Sequence, residues 1–198
     1  MKHLKKLGLL VIAAISLMAF AGTASAANTL TSPAGTNLLA GSTIHLTLES
    51  GTSLLLKAGI EDTCTESTMH GTVSAINTTH AEIALTATGT PPTGLSFEKC
   101  TQHTRVVTPG KLTINDTGEV FTINSRVEIN VTGLGTCYYG AEATPIKIGT
   151  LIAGSPAKLT VNTTVLPRLE ISNKLICAKE ATWTGTYRFT APTSLFIT

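Results

Sequence analysis

Thr182-Trp183-Thr184-Gly185-Thr186-Tyr187-Arg188-Phe189-Thr190 is the stretch that decides the fold. Trp183, Gly185, Tyr187 and Phe189 fall on one side of an extended chain, and the threonines and Arg188 on the other. That period of two marks a half-buried β-strand, because successive side chains in a strand point to opposite faces. Ser42–Glu49 repeats the pattern, with Ile44, Leu46 and Leu48 opposed to Thr43, His45 and Thr47. The packing role is the better one for Trp183, Tyr187 and Phe189. A lone tryptophan in a chain that is 5% aromatic anchors a core more readily than it forms a sugar-stacking platform.

Working outward, further alternating runs are read at Glu82–Thr88, Leu95–Cys100, Lys111–Asn115, Glu119–Ile123, Arg126–Val131, Thr144–Ile152 and Ala157–Leu166. His70-Gly71 reads as a break between Thr63–Met69 and Thr72–Ile76, and Gly89–Gly94 as a firmer one. Turn signals recur about every 8–12 residues, which predicts an all-β domain built as an antiparallel β-sandwich, immunoglobulin-like or related. Threonine makes up about a fifth of the chain, and charged residues only 13%. A β-branched, neutral polar surface suits strands.

Residues 1–26 read as a cleavable export signal. Lys2, Lys5 and Lys6 precede an apolar stretch from Leu7 to Phe20, and Ala24-Ser25-Ala26 offers the small residues for cleavage between Ala26 and Ala27. The apolar stretch is short for a membrane span of about 20 residues. Residues 27–41 are read as an irregular lead-in and 42–198 as the β domain, with a sub-boundary near 116–125 if the chain holds two similar β halves. The formal charge of +2 loses its three signal lysines on cleavage and becomes −1. Such a chain lacks the basic footprint of a nucleic-acid binder, and no second apolar span follows the signal.

Cys64, Cys100, Cys137 and Cys177 are the only cysteines, and an even number in an exported chain points to disulfides. Three connectivities are open. Local closure costs the least chain entropy and favours Cys64–Cys100 with Cys137–Cys177.

The chain resembles a group of secreted actinobacterial proteins, short and rich in Thr and Gly. The likeness rests on the signal ending Ala-Phe-Ala-Gly-Thr-Ala-Ser-Ala, on Cys64-Thr-Glu-Ser and on Gly94-Leu-Ser-Phe-Glu-Lys-Cys100. It continues through Gly135-Thr-Cys-Tyr-Tyr-Gly140, the run from Cys177 to Tyr187, and Ala191-Pro-Thr-Ser-Leu-Phe-Ile197. The resemblance implies an extracellular β-rich fold and no particular activity.

Motifs for chemistry are sparse. His45 belongs to the polar face of its strand, and His70, His80 and His103 fall near expected turns, without metal-ligand spacing. Asp62 and Asp116 both read as turn residues. Glu98, Glu119, Glu128 and Glu142 are candidate acids by type alone, with nothing in the sequence to pair them. Asn115–Glu119 reads as a turn rather than a calcium loop. Asn-x-Thr sequons start at Asn77, Asn115, Asn130 and Asn162, as a Thr-rich chain produces by composition. Tyr138-Tyr139 is the one lead for a binding surface, since adjacent strand residues face opposite ways. The expectation is a secreted or envelope-associated binding or structural protein, with no cofactor, and a glycan or protein at the cell surface as its partner. The alternative is a secreted hydrolase or glycan-active enzyme whose site forms only in three dimensions.

Overall fold

The computed structural model describes residues 28–50, 54–58, 61–85, 94–131, 133 and 135–198. The expected export signal and its expected cleavage point at Ala26 and Ala27 lie outside the described residues, as does most of the Gly89–Gly94 break.

Every described element is a strand: β1 (Leu30–Thr31), β2 (Thr43–Leu48), β3 (Leu54–Lys57), β4 (Glu61–Ile76), β5 (His80–Leu85), β6 (Leu95–Cys100), β7 (His103–Thr108), β8 (Lys111–Asn115), β9 (Glu119–Ile123), β10 (Ser125–Val131), β11 (Gly135–Ala141), β12 (Ile146–Ile152), β13 (Lys158–Pro167), β14 (Glu180–Ala191) and β15 (Phe196–Ile197). The main sheet runs β2–β4–β5–β8–β9–β12–β13–β14, antiparallel throughout, and β14 pairs back onto β2. It is a closed eight-stranded barrel whose strands follow one another in chain order. The expected sandwich of two open sheets is corrected by that closure: Tyr187 pairs with Leu48, Arg188 with Thr47 and Phe189 with Leu46. Closing the ring removes the free edges that an open sheet must protect.

Alternation then sorts the side chains as the sequence predicts. Ile44, Leu46, Met69, Val73, Ile83, Leu112, Ile114, Val120, Ile148, Leu159, Tyr187 and Phe189 are buried in one cluster. Thr43, Lys111, Thr150 and Arg188 on the same strands are exposed. Aliphatic groups inside and threonine outside is the reverse of the pattern of a membrane barrel. No helix among the described residues is long and apolar enough to cross a membrane.

Three insertions elaborate the ring. β3 resumes the path of β2 between β14 and β4. β6 pairs with the first half of β4. β7, β10 and β11 form a separate three-stranded sheet. Val127 and Gly140 of that sheet meet Leu85, Leu95, Leu112, Leu166 and Trp183 across a narrow apolar cleft. One end of the molecule is therefore layered, and the β1–β15 pair forms a separate two-stranded sheet that adds Leu30 to the core. Trp183 stands edge-on to Phe97 at 5.7 Å and to Tyr187 at 6.4 Å, inside this core.

Two local expectations change. His70-Gly71 is no break: β4 runs unbroken for 16 residues. A Cβ on Gly71 would lie 2.7 Å from both the Ala84 carbonyl oxygen and Ile83 Cγ2, so the glycine serves a close strand approach instead of a turn. The lead-in is irregular except at β1, which pairs with β15 and buries Leu30. The 116–125 boundary falls on the β8–β9 hairpin and the start of β10, and the barrel wall continues through it.

The disulfides are Cys64–Cys100 and Cys137–Cys177, the pairing that local closure favours. The first joins residues directly opposed on β4 and β6. The second ties β11 to the loop between β13 and β14. A Cys137→Ser/Cys177→Ser double variant should lose about 3 kcal/mol of stability. Limited trypsin digestion should then cut faster after Lys174. An unchanged digestion pattern would mean that the hydrogen bonds alone hold the loop.

Candidate functional surface

The loop from Arg168 to Lys179 leaves β13 and runs back along β11. Leu169 N–H donates to the Tyr138 carbonyl at 2.8 Å. The Ser172 hydroxyl donates to that same carbonyl at 3.0 Å and accepts from Tyr138 N–H at 2.8 Å. Arg168 Nη1 donates to the Cys177 carbonyl at 2.6 Å. Tyr139 Oη donates to the Ala178 carbonyl at 3.1 Å. Asn173 Oδ1 accepts from Leu175 N–H at 2.9 Å and tightens the tip. Leu169, Ser172 and Cys177 are buried on the inner side.

The outer side carries the exposed Glu170–Lys174 ion pair and, interleaved with it, three aliphatic side chains. Leu175 is 95% exposed and Ile171 59%, with Ile176 beside them also exposed. Scattered aliphatic residues on a surface are ordinary, but three within six residues on a disulfide-anchored loop form a patch held outward by its own framework.

Tyr138 and Tyr139 divide as opposite-facing neighbours must. Tyr139 is 1% exposed, and burial pushes its hydroxyl pKa up, so it belongs to the core and leaves the binding surface. Tyr138 is half-buried on the outer face, next to the loop. Across the sheet, Arg105, Glu128 and Tyr138 occupy directly opposed positions on β7, β10 and β11. Arg105 Nη2 donates to Glu128 Oε2 at 2.8 Å and holds the Glu128 carboxyl below its usual range. Flanked in this way, Glu128 is an ionised structural partner of Arg105.

Glu119 and Glu142 also have cationic partners. Lys147 and the Asn115 side chain lower the Glu119 pKa, and Glu142 lies 3.7 Å from Arg126. Glu98 meets an acid the sequence reading did not pair with it: Glu66, directly opposed on β4, which Lys99 Nζ contacts. The two line a shallow groove with Thr47, Leu48 and Thr65.

Asp116 is exposed in its turn, as expected, but Asp62 is not a turn residue. It lies in β4, fully buried, and its carboxylate accepts from Thr101 Oγ1 at 3.0 Å, Gln102 N–H at 2.7 Å and Thr104 Oγ1. Asp62, Cys64 and Cys100 form the one close group of metal-type ligand atoms among the described residues. Both sulfurs are spent in the disulfide, and the carboxylate is occupied by its three donors, so the group does not suit a metal.

Asn115 Oδ1 accepts from Thr117 and Glu119 N–H, and Gly118 at φ +79° completes the turn, in keeping with the turn reading. Asn77 closes the β4–β5 hairpin similarly, accepting from Thr79 and His80 N–H. His80 therefore sits at a turn. His70 instead lies mid-strand opposite His45, a pairing that long-range register alone reveals.

Fold and surface together define a disulfide-stapled all-β barrel carrying a layered end and a loop that exposes three aliphatic side chains. Comparison of the chain with protein-family models, with curated proteins and with solved structures finds no match.

Proposed function

We propose that the mature chain is a non-enzymatic module, exported to the cell envelope or beyond, which works by surface contact through the Arg168–Lys179 loop and Tyr138. The outward display of Ile171, Leu175 and Ile176 on a loop pinned from behind carries this reading. Desolvated aliphatic and aromatic anchors supply most of the free energy at contact surfaces, and a rigid loop loses little entropy on docking. The two disulfides are consistent with an extracellular setting. The resemblance to secreted Thr- and Gly-rich actinobacterial chains points the same way. A glycan or protein of the cell surface is the partner proposed.

The test is co-sedimentation of purified mature protein with isolated envelopes of the producing cell. The wild type should sediment with them, and an Ile171→Ser/Leu175→Asp variant should bind at least about tenfold more weakly, roughly 1.4 kcal/mol. Equal sedimentation of the two would remove the loop from the proposal.

A second reading, a glycan-active enzyme, draws on the opposed Glu66 and Glu98, since paired carboxylates are the working groups of glycoside hydrolysis. Hydrolysis of aryl glycosides that disappears in both Glu66→Gln and Glu98→Gln would establish it over the first.

A further inference from the structure

We propose that the stacked imidazoles of His45 and His70 form an acid-released clasp on β2, the strand that closes the barrel. This goes beyond surface contact to how the fold responds to its surroundings, and it does not depend on the loop. β2 holds the ring shut by pairing with β14 on one side and β4 on the other. His45 and His70 are directly opposed across β2 and β4, with ring centroids 3.7 Å apart and planes inclined at 29°.

Hydrogen bonding favours one tautomer of His45. Thr190 Oγ1 lies 3.2 Å from the His45 carbonyl oxygen, which can only accept, and 2.9 Å from His45 Nδ1. The hydroxyl proton goes to the carbonyl, so Nδ1 carries the ring hydrogen and Nε2 is bare. Nε2 is buried and has no hydrogen-bond partner. An added proton would have to reside there, without an acceptor and against a second imidazole. Burial first, and then His70, lower the pKa of His45.

The charged surroundings offer no relief. On β14 the nearest charged residue is Arg188, opposite Thr47 and of the same sign as an imidazolium. On β4 the residues flanking His70 along the outer face are Thr68 and Thr72, and on β5 Ala84 faces Thr72. Beyond Ala84 lies Lys111 of β8, whose ammonium is 3.6 Å from the Glu82 carboxylate of β5. At the end of β2, Glu49 is engaged by Lys158 at 2.5 Å.

The sign follows from linkage. A histidine that binds protons less readily folded than unfolded adds stability above its ordinary pKa of about 6.5. That contribution is lost as the pH falls below this value. A proton added to His45 would place a charge against the His70 ring with no acceptor at Nε2, and loosen β2 from β4.

Amide hydrogen exchange of the mature, disulfide-intact protein at pH 7.5 and pH 5.0 tests the clasp. Protection factors in β2, at Ile44 and Leu46, should fall about tenfold more than those of β8, at Leu112 and Ile114. His70→Phe keeps a ring in the stack and removes the imidazole that opposes a proton on His45, so the difference between the strands should shrink. Equal losses in β2 and β8, or an unchanged difference in His70→Phe, would overturn the clasp. If His70→Phe does not fold, NMR titration of wild-type His45 decides. A midpoint well below 6.5 supports the proposal, and one at or above 6.5 defeats it.

Discussion

Tyr187→Ala should be the most damaging single truncation in the barrel, lowering stability by about 4 kcal/mol and the melting temperature by roughly 10 °C. Tyr187 is fully buried on β14, opposite Leu48 on one side and Leu159 on the other, where it joins the seam strand to the rest of the wall. Its ring fills the interior beside Trp183, and its hydroxyl lies 2.8 Å from Ser67 Oγ, which donates in turn to the Ser96 carbonyl at 2.6 Å. Truncation removes the ring and the hydroxyl partner together. Tyr187→Phe separates the two losses. It keeps the packing and should cost only about 1–2 kcal/mol, the cost of leaving a buried hydroxyl short of one bond. Chemical denaturation of both variants checks the division: equal losses would mean that the hydroxyl, not the ring, holds the centre.

Asp62→Ala should follow closely, with a loss of about 3 kcal/mol. The carboxylate gathers the Thr101 hydroxyl, the Gln102 N–H and the Thr104 hydroxyl, and so shapes the chain where β6 gives way to β7. Alanine leaves the buried Thr104 hydroxyl and the half-buried Gln102 N–H with nothing to accept them, while the exposed Thr101 turns to water. Asp62→Asn retains an acceptor oxygen for Thr101 and Gln102 while Thr104 turns its hydroxyl to accept, and should cost about half as much. Urea denaturation distinguishes the cases. A silent Asp62→Ala would show that water replaces the carboxylate without penalty.

The sequence made the walls legible but not their closure. Alternation at Ser42–Glu49 and Thr182–Thr190 placed Ile44, Leu46, Trp183, Tyr187 and Phe189 inside, and burial agrees. Loop entropy alone chose the two disulfides. A period of two, however, is common to sandwich and barrel. What distinguishes them is whether Leu46 meets Phe189, residues from opposite ends of the chain, and no local pattern encodes that contact.

The same limit hid the neighbours of single residues. Gly71 looks like punctuation until Ala84 is seen pressed against it. Asp62 looks like a turn residue until its acceptors' partners arrive from about forty positions away. His45 and His70 are unrelated in sequence until β2 and β4 align. For the surface, Tyr138-Tyr139 was found by strand geometry, which also foretold that one of the two would be buried. Ile171, Leu175 and Ile176 were passed over because an irregular segment carries no periodicity to mark which way its side chains face.

The pairing of β1 with β15 has a consequence for how the molecule is presented. Thr198 N–H donates to the Thr29 carbonyl at 3.1 Å, so chain leaving Asn28 and chain arriving at Thr198 share one spot. Gly154 bridges to Leu195 there, just ahead of β13. The ten residues of β13 then span roughly 30 Å to the Arg168–Lys179 loop at the far end. Any tether joined ahead of Asn28 or beyond Thr198 would hang the barrel from that one pole and aim Leu175 away from the point of suspension.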